Sequence, residues 1–482
     1  MSLLPPALLT DLAALLGPAG YRDDPAALAP WLTDWRGRVH GTSAALLAPA
    51  DTAQVAAIVR LAATHRVPLV PQGGNSSTVG GATPPADGSA LLLSLRRLAR
   101  PPRIDVDDAT ATADAGVILS DLHDAAAAAG LRFPLSLAAR GSATIGGLVS
   151  TNAGGVQVLR FGTMRALVLG VEAVLADGAV FHGLSSLRKD NRGYDLRQLL
   201  IGAEGTLGIV TAATLRLVPA IGQRAVAWAG VGDPHRALAL LHRLDRTLGT
   251  AIESFELLPA DGLALVLRHI PGTRAPLPVP ARWNILIEAT ALPAAPDPAE
   301  ALGLALASAI ADGLIADAML AANETQADAL WKLRETLPEA ERIDGMAAKH
   351  DIAVPVSAMP GFLLSATTAI EGRHPGTRVL AFGHLGDGNI HFNVRAPLGR
   401  DARMWLEEEG SAVTHAVHDL VVAAGGTISA EHGIGQIRLP ELLRTGDPVR
   451  LAMQRAIKNA LDPHGILNPG KLVPLAPPRA DP

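Results

Sequence analysis

Three glycine-rich stretches constrain this chain more than anything else in it. The first, Gly73-Gly74-Asn75-Ser76-Ser77-Thr78-Val79-Gly80-Gly81, follows directly on a short apolar run at 67–70. The second consists of Gly141-Ser142-Ala143-Thr144-Ile145-Gly146-Gly147 and then Ser150-Thr151-Asn152-Ala153-Gly154-Gly155. The third, Ile201-Gly202-Ala203-Glu204-Gly205-Thr206-Leu207-Gly208-Ile209-Val210, leads into a strand expected at 211–218. Glycine lets backbone approach other groups closely. Loops this rich in it can turn several amide N–H groups toward an anion. Neither G-x-G-x-x-G nor G-x-x-x-x-G-K-[ST] occurs, which disfavours a Rossmann or P-loop nucleotide site.

The periodicities around these stretches are those of a mixed fold. Helices are expected at 53–65 and 119–129, and short strands at 67–70, 91–95, 104–106 and 109–115. Residues 168–175 and 179–181 read as a hairpin turned by Asp177-Gly178. From about residue 223 glycine thins out, and Pro/Ala-rich linkers at 271–280 and 292–298 set off a strand at 283–288 from helices at 298–312 and 327–336. The tail is expected to be helical from 441 to 461 and to end in the turn Asn468-Pro469-Gly470-Lys471. The expected architecture is α+β. It comprises a first domain at 1–222 made of two α+β subdomains, a second at 223–430, and a C-terminal segment at 431–482 that returns to the first.

Composition narrows the function classes. The chain of 482 residues is 49% apolar and 18% charged, as in a folded globular protein. Its net charge of −5 offers no electrostatic footing for nucleic acid or an anionic membrane. It has no cysteine, so disulfides, iron–sulfur clusters, thiolate zinc sites and cysteine-linked cofactors are excluded. Any redox chemistry must borrow an organic cofactor. Residues 1–20 lack a Lys or Arg and read as an amphipathic helix rather than a signal peptide. The most membrane-like stretch, 301–322, carries Asp312 and Asp317, each costing about 2.5–3.5 kcal/mol at a membrane centre. It is expected to be a packed helix, in a soluble, cytoplasmic protein.

The chemistry concentrates in Phe382-Gly383-His384-Leu385-Gly386-Asp387-Gly388-Asn389-Ile390-His391-Phe392-Asn393. A glycine turn separates the two histidines, and the alternation after it reads as a strand with His391 and Asn393 on one face. Ser429-Ala430-Glu431-His432-Gly433-Ile434-Gly435 is a second small-residue loop, carrying a carboxylate and an imidazole. Two neutral imidazoles and one carboxylate make a catalytic metal set with an open position. His384, His391 and Glu431 are therefore candidate ligands, and His432 a candidate base beside them.

Taken together and in order over residues 40–475, these segments resemble the FAD-dependent D-2-hydroxyacid dehydrogenases of the vanillyl-alcohol-oxidase-like flavoproteins. Trp331-Lys332-Leu333-Arg334-Glu335 followed by Lys349-His350-Asp351 looks most like the D-2-hydroxyglutarate dehydrogenases, with D-lactate dehydrogenases next. The resemblance implies a vanillyl-alcohol-oxidase-like FAD domain, a substrate (cap) domain and a helical C-terminal segment. Backbone at Gly73, Gly74 and Asn75, with Thr78 and Gly80, would hold the FAD pyrophosphate. Gly141, Ser142, Gly146, Gly147 and Asn152 would line the rest of the channel, Gly205 and Ile209 would approach the adenine, and Asn468 would join from the C-terminal turn. Relatives in the wider superfamily attach FAD through a His after the glycine pair. Here that position is Asn75, so non-covalent FAD is expected.

The resemblance also implies Zn2+, or Mn2+ or Co2+, on His384, His391 and Glu431, and His432 as catalytic base and substrate contact. Arg334, Lys349 and Asn393 would bind the D-2-hydroxyacid. One departure is Pro338, where a Thr or Ser commonly stands four residues after the Arg. An electron-transfer flavoprotein or the quinone pool is the implied acceptor, and a homodimer the implied assembly. The alternatives are D-lactate, D-malate or glycolate as substrate, a zinc hydrolase, and a non-catalytic flavin-bearing subunit.

Overall fold

The computed structural model describes residues 4–474. The chain divides into two compact units. One holds the chain up to Gly155, Gly162–Pro219 and the chain from Glu431; the other holds Val156–Phe161 and Ala220–Ala430.

The first unit is built on two larger sheets, beside a short pair of Leu131–Arg132 with Val218–Pro219. A four-stranded sheet runs in the order Tyr21–Arg22, Leu46–Leu47, Leu91–Ser94, Leu69–Gln72, parallel across its last three strands. A five-stranded antiparallel sheet runs Arg103–Asp105, Thr110–Asp114, Ile209–Arg216, Val168–Val174, Val180–Gly183. The helix Thr52–His65 shows why such elements form. The Asp51 carboxylate caps it from the backbone N–H of Gln54, and Arg66 ends it in the left-handed region. Val55, Ile58, Val59 and Ala62 lie along one side of it in the core. Residues 1–3 of the expected N-terminal helix lie outside the described residues, and the helix itself is Pro6–Gly20, kinked at Gly17.

The second unit is one seven-stranded antiparallel sheet. Its order is Asp317–Leu320, Gln223–Val231, Trp283–Ala291, Ile252–Pro259, Arg378–His384, Asn389–Arg395, Ala347–Ala353. Each face has its own core. Ala227, Leu257, Ile285, Ile287, Phe392 and Val394 meet the helices Pro234–Leu248, Pro298–Ala311, Met359–Arg373 and Ala402–Ala423 on one side. Val226, Trp228, Leu258, Leu286, Leu380 and Phe382 meet Ala260–His269, Glu324–Glu335 and Leu337–Asp344 on the other. Period-two alternation along the strands sorts the two sets.

Two expectations are corrected. The apolar stretch 301–322 is not one helix: Pro298–Ala311 ends, the chain turns through Gly313 at φ +65°, and Asp317–Leu320 joins the sheet edge. The tail is two helices, Leu439–Thr445 and Pro448–Leu461, because Asp447 caps the second through the N–H of Arg450 ahead of Pro448. Among the described residues no helix is long and apolar enough to cross a membrane.

Phe392 has no exposure and packs edge-on against Phe362, 6.2 Å between centroids. It lies between His391 and Asn393, on the opposite face of their strand. Phe392→Ala should lower unfolding stability by about 3–5 kcal/mol. Denaturant melts check this, and a loss under 1 kcal/mol would mean that the strand is not held from this side.

Candidate active site

The register of the sheet gathers the polar residues. His391 is paired with Phe382 on one side and Asp351 on the other, Asn393 with Leu380 and Lys349, and His384 with Asn389 and Glu256. Directly opposed residues share a face. Glu256, His384, His391, Asn393, Lys349 and Asp351 therefore all rise from the side that carries Phe382 and Leu258. The rings of His384 and His391 lie 5.7 Å apart and nearly perpendicular. After Thr427 the chain bonds to this sheet through the N–H of Ala430, which donates to the Asp351 carbonyl. Glu431 follows, and one ligand atom each from His384, His391 and Glu431 lie within 4.8 Å of one another. His432, half-buried, is the next residue.

Glu256, which sequence reasoning missed, organises this face. It has no exposure; one oxygen lies 2.6 Å from His384 Nδ1 and the other accepts a hydrogen bond from Arg334 Nε at 2.7 Å. Burial pushes its carboxyl up, but the charges and hydrogen bonds of His384 and Arg334 outweigh that and hold it below the usual carboxylate range. With Nδ1–H given to Glu256, His384 keeps Nε2 as its lone-pair nitrogen, the arrangement that orients a metal-ligating imidazole. The same bond turns Arg334, only 6% exposed, so that its guanidinium lies 5.1 Å from the Phe382 ring centroid. Glu341, also missed and also without exposure, accepts from Lys349 Nζ at 2.7 Å and Asn393 Nδ2 at 2.9 Å on one oxygen. Asp387, in the hairpin turn, is pushed up by burial. A signal for Glu256 existed: carboxylates at 253 and 256 interrupt a strand otherwise uncharged and mostly apolar, where charge is not left unpaired.

The glycine stretches meet in the first unit. A Cβ on Gly73 would lie 2.2 Å from Thr144 Oγ1, and one on Gly74 would lie 1.9 Å from the Ser142 carbonyl oxygen. The first loop thus packs against the second at a distance that only glycine permits. Gly146 and Gly147 begin the short helix Ile145–Thr151, and Gly141 faces open space. Asn75 sits at φ +55° with its amide donating to the Thr33 carbonyl. Three further sequence candidates also have partners within the chain. Asn152 ends the short helix in the left-handed region and accepts from the Arg165 N–H. Ile209 buries its side chain in the core, 1% exposed. Asn468 donates to the carbonyls of Gly81 and Glu204, and its N–H donates to Leu69.

Against known proteins, residues 43–183 match the FAD binding domain family, and residues 222–472 match the C-terminal domain of FAD linked oxidases. Curated relatives named D-2-hydroxyglutarate dehydrogenase align over nearly the whole chain. The Arabidopsis thaliana mitochondrial protein is 35% identical, covering 95% of this chain and 80% of that one. The Bos taurus mitochondrial protein is 37% identical, covering 96% and 83%. The Xanthomonas citri protein is 36% identical, covering 94% and 93%. The chain belongs to the FAD-dependent D-2-hydroxyacid dehydrogenases. Solved structures give its fold: p-cresol methylhydroxylase has a TM-score of 0.72 at 16% identity, covering 96% of each chain. Alkyldihydroxyacetonephosphate synthase reaches 0.71 at 16% identity, over 96% of this chain and 84% of that one. The dehydrogenase is thus a vanillyl-alcohol-oxidase-like α+β flavoprotein.

The glycine loops of this dehydrogenase fit FAD. Gln72 Oε1, Thr78 Oγ1, Thr144 Oγ1 and Asn468 Oδ1 are buried and meet no hydrogen-bond partner among the described residues, as expected where a polar cofactor supplies one. Lys471, which was not singled out as a site residue, is 2% exposed and pairs with no carboxylate among the described residues. Its turn is tied to Leu69, Gly81 and Gly435. A buried ammonium of this kind suits an anionic group such as FAD.

Burial alone brings Lys471 down to about 8 from the ordinary 10.5. A folded value below the unfolded one means that burial opposes the charged amine. The cost is full below pH 8 and fades as pH rises toward 10.5. Lys471→Met should therefore stabilise the FAD-free protein at pH 7 by about 2–3 kcal/mol, with the gain shrinking above pH 8, while weakening FAD binding. Thermal melts against pH and flavin titration check both, and unchanged FAD affinity would remove the amine from the cofactor's contacts.

Proposed function

We propose that this enzyme oxidises D-2-hydroxyglutarate to 2-oxoglutarate, using non-covalent FAD and a divalent ion on His384, His391 and Glu431. Zn2+ suits this donor set first, with Mn2+ and Co2+ next. One observation carries the reading: two imidazoles of one sheet face and the carboxylate of the following loop lie within 4.8 Å of one another, and that sheet face also bears Lys349 and meets Arg334 through Glu256. That combination suits a chelating hydroxyl–carboxylate pair with a second anionic end. The names of the Arabidopsis thaliana, Bos taurus and Xanthomonas citri relatives support the dicarboxylate. When bound, the flavin supplies a hydride acceptor and the divalent ion a Lewis acid. His432 takes the proton of the substrate's C2 hydroxyl, as an imidazole nitrogen acting as general base can. Asn393 holds a substrate oxygen, and Arg334 and Lys349 hold carboxylate oxygens.

A second reading, D-lactate, D-malate or glycolate, has one observation in its favour. Arg334 and Lys349 are each already paired with a buried carboxylate, Glu256 and Glu341, and Pro338 offers no hydroxyl. A zinc hydrolase would leave the FAD binding domain at 43–183 without a use. Electron-transfer flavoprotein or the quinone pool as acceptor, a homodimer and a cytoplasmic location complete the proposal. The last stands beside relatives named mitochondrial.

The test is anaerobic absorbance before and after D-2-hydroxyglutarate, with D-lactate, D-malate and glycolate in parallel. Bleaching of the flavin band at about 450 nm by the first substrate at the lowest concentration is expected. Preferential bleaching by D-lactate would install the second reading. His432→Ala should keep FAD and metal yet lose about 10²–10⁴-fold in turnover; a wild-type rate would sink the base assignment. Arg334→Lys keeps a charge beside Glu256 but loses the guanidinium fork. It should raise KM for D-2-hydroxyglutarate roughly ten-fold with little change for D-lactate. Equal losses on both would move Arg334 to the C1 carboxylate that all 2-hydroxyacids share.

A further inference from the structure

Glu204 stands where glycine would cost less. Its φ is +52°, and Gly202 and Gly205 beside it have φ of +78° and +72°. An L-residue in the left-handed region costs about 1–2 kcal/mol, so the side chain must return something. It is 8% exposed, and both carboxylate oxygens are used: one accepts the N–H of Ile434 at 2.7 Å, the other that of Gly435 at 2.7 Å. Successive N–H groups aimed at one anion form the concavity that elsewhere binds phosphate. Here a carboxylate of the chain itself fills it. A Cβ on Gly433, at φ +78°, would lie 2.9 Å from the Glu204 oxygen, so the residue after His432 must be bare for the carboxylate to approach. The backbone of Glu204 is fixed as well: its N–H donates to Ser150 and its carbonyl accepts from Asn468.

The loop it grips is irregular, and its other backbone ties include the Ala430 N–H on the Asp351 carbonyl before the gripped pair and the Gln436 and Ile437 N–H groups on the Val79 carbonyl after it. From Ala424 to Arg438 the chain forms no helix and no strand beyond a single bridge at Thr427. Glu431 and His432 lie two to four residues before the two gripped N–H groups. We propose that Glu204 is the positioning residue of the catalytic loop, its carboxylate clamping Ile434 and Gly435 so that His432 and Glu431 keep a fixed place against the glycine loops. The proposal rests on the reading of His432 as base and Glu431 as ligand. Burial pushes the Glu204 carboxyl up, the two N–H groups and Arg438 pulling the other way. The clamp therefore depends on hydrogen bonds rather than on an exposed charge.

The test uses the FAD-loaded holoenzyme. Glu204→Gln matches the side chain in shape, but its NH2 end cannot accept from an N–H, so one of the two bonds is lost. Turnover should fall roughly 10–100-fold with KM changed less than about three-fold and FAD content intact. The solvent deuterium isotope effect on kcat should rise, because proton transfer to a displaced His432 becomes limiting; a residue that only supports folding would not move it. Gly433→Ala, which pushes the loop off the carboxylate from the other side, should reproduce the split and guards against a Glu204 variant that fails to fold. Wild-type turnover and isotope effect in either folded variant would overturn the clamp. If His432→Ala also keeps its turnover, it is the base assignment that fails; if that variant is dead, only the clamp does.

Discussion

The pairing of Glu256 with His384 and Arg334 is the interaction on which the candidate site's sheet face depends. A carboxylate without exposure costs several kcal/mol of lost hydration unless its partners repay it. Glu256 has two, at 2.6 and 2.7 Å, and they come from different parts of the chain, a strand end and a helix. The carboxylate thus couples two settings that could otherwise vary separately: which nitrogen His384 presents, and which way Arg334 points. Removing Glu256 strips both His384 and Arg334 of this partner, and removing either of them leaves the buried carboxylate with one partner where it had two, so none of them can be altered as a local change.

The device recurs. In the same unit Glu253, also without exposure, takes Gln157 and Thr290 at 2.9 and 2.8 Å together with Arg160, and so fastens the short helix Val158–Phe161 to the strand Ile252–Pro259. Glu341 gathers Lys349 and Asn393, and Glu204 in the first unit gathers two backbone N–H groups. A chain without cysteine has no disulfide to pin remote segments together. Internal carboxylates with directional partners do that work, and unlike apolar contacts they specify geometry.

This explains what was legible in the sequence and what was not. The glycine stretches, the hairpin turned by Asp177-Gly178 and the helix at 52–65 declare themselves through local chemistry, and the strand pattern after Gly388 puts His391 and Asn393 on one face. Glu256, by contrast, stands 128 residues from His384, and no spacing rule reaches that far; only strand register brings them together. Apolarity misled at 301–322, where composition does not mark the turn that splits a helix from an edge strand. Lys471 ends the turn Asn468-Pro469-Gly470-Lys471, yet its burial without an acidic partner among the described residues is a property of packing that sequence does not display.

Pro338 shows how a local substitution reaches the substrate residues. It occupies the second position of the helix Leu337–Asp344, where its missing N–H is not needed and its fixed φ favours the first turn. One turn later that helix delivers Glu341, buried, to Lys349 and Asn393. A hydroxyl at 338 would offer a donor directly; proline offers a rigid start to the helix that aligns two other donors. The loss of a polar contact and the gain of an aligned one sit on the same helix. Under the proposed function, recognition of the distal end of the substrate would rest on charge arranged around Glu256 and Glu341 rather than on an extra hydroxyl. On that proposal, substrate preference would be a balance between paired cations and a second carboxylate, which dicarboxylate and monocarboxylate hydroxyacids would tip in opposite directions.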